Sequence, residues 1–74
     1  MDANNLIKMA NQIGTFFESQ PNRAEAQEAV LSHIEKFWDP RMRAAFLKSL
    51  DTDSANDLSD FVKEAIKNHR NLLS

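Results

Sequence analysis

The 74-residue chain contains no cysteine, a single glycine and two prolines. Without cysteine it cannot form disulfides, thiolate zinc sites or cysteine-ligated iron–sulfur clusters. With so little glycine and proline it has few of the turn residues that a β-fold needs. No apolar run approaches the roughly 18 residues of a membrane span, and no charged start followed by an apolar stretch suggests a signal peptide. We therefore expect a cytoplasmic protein.

The charge balance also limits the choice of partner. The formal net charge is −2 and the calculated pI is about 5.5. Nucleic acids and anionic membranes attract basic surfaces, so neither is expected as the main partner.

Apolar residues recur at helical spacing along most of the chain. This periodicity predicts an all-α fold and a single domain, residues 1–74, built as a small compact bundle of four helices. Three helices are expected to be longer, and one short helix should follow Asp39-Pro40. The predicted helices cover residues 3–19, 22–38, 40–50 and 55–73.

The helix boundaries are predicted from local chemistry. Because a residue before proline avoids helical geometry, the second helix should end near Trp38. Asp39 can then cap the third helix, with Pro40 at its first position. Ser54 and Asp57 resemble a capping box for the fourth helix.

The first two helices have more apolar surface than a one-sided helix requires. The apolar arc of helix 1 spans roughly half its circumference, and Gly14 in this helix predicts close approach of another backbone. This helix is either well buried in the bundle or covered on a second side by another protein. In helix 2, Leu31 and Trp38 form a second apolar edge beside the predicted inward stripe, which comprises Ala26, Val30, His33, Ile34 and Phe37.

The stretch "KFWDPRMR" (36–43) combines the only tryptophan with two arginines. Tryptophan and arginine are enriched at the energetic centres of protein interfaces, which favours a docking surface here. The alternatives are a core position for Trp38 and local bridges from the arginines to carboxylates. Arg41 and Arg43 lie about 160° apart around the helix, so one is expected to pair internally and the other to reach a partner. The interface hypothesis names Met9, Phe16, Leu31, Trp38, Arg41, Arg43 and Leu47.

No motif for catalysis, cofactor binding or metal binding emerges. His33 and His69 have no carboxylate or second histidine three or four positions away, so both are interpreted as partly buried structural residues. A calcium loop starting at Asp51 fails, because Val62 occupies the position of the bidentate glutamate. A carrier-protein attachment site at Ser54 and a helix-turn-helix DNA reader are both weaker interpretations. We expect no small-molecule ligand for this chain.

Two blocks, "NLIKMANQIGTFFES" (5–19) and "HIEKFWDPRMRAAF" (33–46), resemble the delta subunit of soluble NAD-dependent formate dehydrogenases, bacterial molybdenum or tungsten enzymes. The resemblance covers about residues 5–50. The matching positions, taken as candidates for fold and interface rather than for catalysis, are Met9, Ile13, Gly14, Phe16, Phe17, Trp38, Pro40, Arg41, Met42 and Arg43.

The resemblance implies a non-catalytic accessory subunit that supports assembly or stability of the active complex through contacts with the large catalytic subunit. That complex would carry a molybdenum or tungsten ion bound to two molybdopterin guanine dinucleotides, together with iron–sulfur clusters, FMN and NAD. None of these groups is expected in this chain. Two alternatives remain open: a dissociable chaperone for cofactor insertion into the large subunit, and an unrelated helical protein-interaction module.

Overall fold

A computed structural model describes residues 2–73 of the chain. This part contains four α-helices, two short 3₁₀ helices and no β-strand, which confirms the predicted all-α bundle. The α-helices are α1 (Ala3–Glu18), α2 (Arg23–Phe37), α3 (Pro40–Ser49) and α4 (Asp60–His69). The 3₁₀ helices are Asp53–Asp57 and Arg70–Leu72.

Side-chain caps fix where the first three helices begin. Asp2 accepts a hydrogen bond from the Asn4 N–H at 3.0 Å, and Asn22 accepts one at 3.0 Å from the N–H of the third residue after it. Asp39 accepts from the Met42 N–H at 2.9 Å, with proline at the next position as predicted. Each cap satisfies one of the N–H groups that a helix start leaves unpaired. The bounds of α1, α2 and α3 lie within one residue of the prediction.

The fourth helix is shorter than predicted. It was expected over residues 55–73 but spans Asp60–His69, so it has 10 residues, the same length as α3. The capping residue is Ser59, whose hydroxyl accepts from the Val62 N–H at 3.3 Å. Ser54 was wrongly predicted as the cap; its hydroxyl instead donates to the Asn4 side chain at 3.0 Å.

Two hydrogen bonds from a residue far away in the sequence explain why the helical pattern is interrupted before α4. The Asn11 side chain of α1 donates from Nδ2 to the Asp57 carbonyl at 2.9 Å and accepts the Ser59 N–H at Oδ1 at 2.8 Å. These two bonds hold the backbone between the 3₁₀ helix and α4, where Leu58 has extended geometry. Leu58 is buried although it is not helical, so the buried apolar residues keep helical spacing across the break. The sequence pattern therefore predicts one long helix.

Helix α2 lies between α1 and α4, and its buried face is broader than predicted. Leu31 is fully buried and Trp38 is 5% exposed, so the second apolar edge belongs to the core of the chain itself. Phe37, predicted to face inward, is 72% exposed. With neighbours on two sides of α2, the centre of its buried face moves towards Leu31 and away from Phe37. The buried residues of α2 are Ala26, Gln27, Val30, Leu31 and Ile34.

Two contacts close the core. The Trp38 ring packs edge to face on Phe46, with ring centroids 5.4 Å apart. Gly14 in α1 faces Val62 of α4 so closely that a Cβ placed on the glycine would lie 2.6 Å from the valine Cγ2. Another element does approach this glycine closely, but the atoms nearest to the added Cβ belong to side chains and not to the backbone that was predicted.

Candidate functional site

An open apolar groove of about 460 Å³ runs between α1 and the end of α2. We call this site the groove. It is lined by Met9, Gln12, Ile13, Phe16, Phe17, His33 and Trp38. No Asp, Glu, Lys or Arg side chain is among these residues, so whatever fits the groove must be largely apolar.

Aromatic rings form a continuous row that starts in the groove and ends at Phe37, just outside its lining. Phe16 contacts Phe17 edge to face with centroids 5.1 Å apart, and Phe17 contacts His33 at 6.0 Å. His33 in turn contacts Phe37, with centroids 4.6 Å apart. The row links α1 to α2 and explains why His33 is half-buried: its ring packs between two phenylalanines.

The two ends of this row face solvent. Phe16 is 71% exposed and Phe37 is 72% exposed, and they are the exposed large hydrophobic residues in the described part of the chain. Scattered single apolar residues on a surface need no explanation. Phe16 and Phe37 form an exposed aromatic patch because one row of ring contacts connects them, and such a patch is typical of an interaction site.

The structure brings together three of the seven residues named in the interface hypothesis. Met9, Phe16 and Trp38 all line the groove, and Trp38 contributes only a small exposed fraction. Leu31 lies in the core and has no free surface. Leu47 is half-buried and packs against the core rather than lining the groove.

The two arginines have different surroundings, as their spacing predicts. The Arg43 guanidinium donates to the backbone carbonyls of Glu35 at 2.7 Å and Trp38 at 3.1 Å. It therefore binds the end of α2 through carbonyl oxygens and not through a carboxylate. The Arg41 side chain is exposed and makes no hydrogen bond or ion pair with the described residues.

Sequence reasoning did not assign Phe37, His33 and Gln12 to the site. Phe37 occupies a core position of the helical pattern, and only the packing of α2 between two helices shows that it is exposed. The position of Phe37 at the end of α2 was not a sufficient signal, because the next residue, Trp38, is buried.

The strongest charge interaction lies away from the groove. Arg23 in α2 binds Glu64 in α4 at 2.7 Å, and the Arg23 guanidinium stands 5.2 Å from the centre of the Phe61 ring. The hydrogen bond from Arg23 lowers the pKa of Glu64 below its ordinary value of 4.5, and the Gln27 amide acts in the same direction. Both partners are about half exposed, so the pair adds little stability.

The described residues contain no cluster of three or more His, Cys, Asp or Glu side chains that could hold a metal ion. The complete absence of cysteine also leaves no ligands for an iron–sulfur cluster of the usual type. The residues of this chain therefore do not fit a cysteine-ligated iron–sulfur cluster, one of the centres that the resemblance implies for the whole complex. Across residues 2–73, none of the helices has both the length and the apolar character needed to cross a membrane.

Fold and groove together define a small helical protein with an open, largely apolar surface groove. Comparison with known families then identifies it: the chain belongs to the NADH-dependent formate dehydrogenase delta subunit family (FdsD), whose model matches residues 5–66. It is thus an accessory subunit of a formate dehydrogenase, with partner subunits in that complex. No curated protein matches the chain at a significant level, and neither does any solved structure.

Proposed function

We propose that this chain is a non-catalytic subunit that supports assembly or stability of a cytoplasmic formate dehydrogenase by docking its groove on the large catalytic subunit. The exposed aromatic patch of Phe16 and Phe37 is the observation that supports this proposal. The metal, pterin, iron–sulfur and flavin groups of the complex would then be held by the other subunits.

Burial of the patch supplies a driving force for docking. Moving one phenylalanine side chain out of water contributes about 1.5–3 kcal/mol. Residues at the centre of an interface account for most of its affinity, and aromatic anchors are common among them. We therefore expect Phe16 to be an anchor of the complex and to contribute little to the stability of the free chain.

Co-expression of the tagged chain with the large catalytic subunit of the same organism tests the proposal. The wild-type chain should recover the large subunit, and Phe16→Gln should weaken binding by about 10- to 100-fold, the equivalent of the lost burial. Thr15→Gln is the matched control, since Thr15 is exposed on the same helix and does not line the groove. Circular dichroism should show both variants folded.

Failure to recover the large subunit with the wild-type chain would refute the proposal. Equal binding by Phe16→Gln and wild type would show that the groove is not the surface that docks on the large subunit. The amount of the chain in purified active enzyme separates a permanent subunit from a dissociable chaperone: a stoichiometric amount indicates a subunit, and its loss after cofactor insertion indicates a chaperone.

A further inference from the structure

A second hollow, of about 290 Å³, lies between α4 and the segment that leads into it. We call it the cationic cleft. It shares no residue with the groove. The residues that line the cationic cleft are Leu50, Ala55, Asn56, Leu58, Lys63, Ile66, Lys67 and Arg70.

Three positive charges surround this cleft and no acidic side chain lines it. Lys63, Lys67 and Arg70 are exposed, and like charges four residues apart on a helix repel each other by about 0.2–0.5 kcal/mol. None of the three forms a salt bridge within residues 2–73. Glu64, three residues before Lys67, is paired with Arg23 and attracts Lys67 only through space, without an ion pair. Asp60, three residues before Lys63, makes no ion pair with that lysine.

This concentration of cations does not follow from composition, because the chain as a whole has a net charge of −2. Cations near the end of a helix do stabilise it, which accounts for Lys67 and Arg70 but not for Lys63 in the first half of α4. The floor between the charges is apolar and contains Leu50, Leu58 and Ile66.

A ligand that matches the cationic cleft therefore has carboxylates to meet the positive charges and an aliphatic side chain to contact the apolar floor. Nucleic acid is a poor match, because no aromatic ring lines the cleft for base stacking. We propose that the cationic cleft binds an acidic segment of another subunit of the formate dehydrogenase, whose carboxylates meet Lys63, Lys67 and Arg70 while one aliphatic side chain contacts the floor. This inference rests on the proposed function and adds a second contact surface to it.

Carbodiimide cross-linking of the purified complex provides a direct test, since this reagent joins a lysine amine to a carboxylate only at contact distance. Mass spectrometry should find Lys63 and Lys67 linked to Asp or Glu residues of another subunit. Lys8 and Lys48, which are exposed outside the cleft, serve as internal references and should show fewer links. A 1:1 mixture of isotope-labelled and unlabelled chain identifies links between two copies of this chain.

Two double variants supply the affinity test. Lys63→Gln with Lys67→Gln should bind the partner about tenfold more weakly at about 50 mM NaCl, and the difference should shrink to within about twofold at about 500 mM. Lys63→Arg with Lys67→Arg keeps the charge and should bind like wild type, although it cannot form these cross-links. Circular dichroism checks that α4 is intact in both.

Links confined to the reference lysines, links only between copies of this chain, or unchanged affinity of the glutamine double variant would each overturn the inference. If wild type binds and Phe16→Gln weakens that binding, the proposed function stands even when the cleft fails this test. If wild type binds no formate dehydrogenase subunit, the proposed function fails and the inference fails with it.

Discussion

Gly14→Ala should change stability through two opposing effects, a gain in helix propensity and a steric clash with α4. In a helix interior alanine is favoured over glycine by about 1 kcal/mol, so helix propensity alone predicts a more stable protein. The new methyl group, however, would lie 2.6 Å from Val62 Cγ2 and 3.6 Å from Phe61 Cδ2. Carbon atoms pack best at about 3.5–4.0 Å, so the first contact is too short by about 1 Å.

The valine has little freedom to relieve this contact. Val62 is fully buried, and a β-branched side chain in a helix strongly prefers one rotamer. Added methyl groups in a well-packed core cost about 1–3 kcal/mol. We therefore expect Gly14→Ala to lower the free energy of unfolding by about 1 kcal/mol net, which corresponds to a fall in Tm of about 4–8 °C for a domain of this size.

Thermal and urea unfolding followed by circular dichroism measure this difference. Ala44→Gly in α3 is the control for propensity, because Ala44 is an exposed residue of a helix interior. In the Val62→Ala background the clash is gone, so Gly14→Ala should there become neutral or stabilising, a coupling that a double-mutant cycle detects. A higher Tm for Gly14→Ala in the otherwise unchanged chain would refute the packing argument.

Three other outcomes follow from the described contacts. Because Arg23 lowers the pKa of Glu64, this pair stabilises the fold above pH 4.5, and its contribution is lost as the pH falls through the lowered pKa. Glu64→Gln should therefore reduce the urea midpoint near pH 7, and the difference from wild type should shrink as the pH falls below 4.5. Trp38→Ala should lose about 3–5 kcal/mol and largely unfold the free chain, whereas Trp38→Phe should retain helical circular dichroism. Arg43→Met should cost about 1–3 kcal/mol in denaturant unfolding and Arg41→Met less than about 0.5, and an equal cost would contradict the assigned hydrogen bonds.

Local chemistry predicted most of the fold. A helix start depends on a cap within a few residues, so Asp39 and Pro40 were sufficient to place the start of α3. The break before α4 depends on Asn11, which hydrogen-bonds to Ser59, 48 residues further along the chain. No local pattern contains that bond, and the periodicity therefore predicted a helix that was too long.

The candidate site was predicted only in part, because the sequence pattern does not contain tertiary contacts. Helix periodicity shows that α1 has a wide apolar arc, and this arc supplies Met9 and Phe16 to the groove. It does not show which neighbour covers which part of the arc. Exposure of Phe37 and burial of Leu31 both depend on how α2 is rotated between α1 and α4, a choice made by tertiary packing.

The tryptophan and arginine at the corner between α2 and α3 have structural tasks. An α-helix leaves its last carbonyl groups without intrahelical partners, and the break at Asp39 leaves the Glu35 carbonyl in that position. The Arg43 guanidinium donates hydrogen bonds to the Glu35 carbonyl and to the Trp38 carbonyl. It thus takes the place of the backbone N–H donors that another helical turn would have supplied.

Trp38 covers the core beneath this corner by packing on Phe46. Once the tryptophan and Arg43 are engaged in this way, the Arg41 side chain still has no hydrogen-bond or ion-pair partner among the described residues. The apolar surface available to a partner therefore lies beside the corner, at Phe37 and across the groove at Phe16. A partner that covers both phenylalanines must bridge α1 and α2, so its binding should resist separation of these helices and slow hydrogen exchange in both.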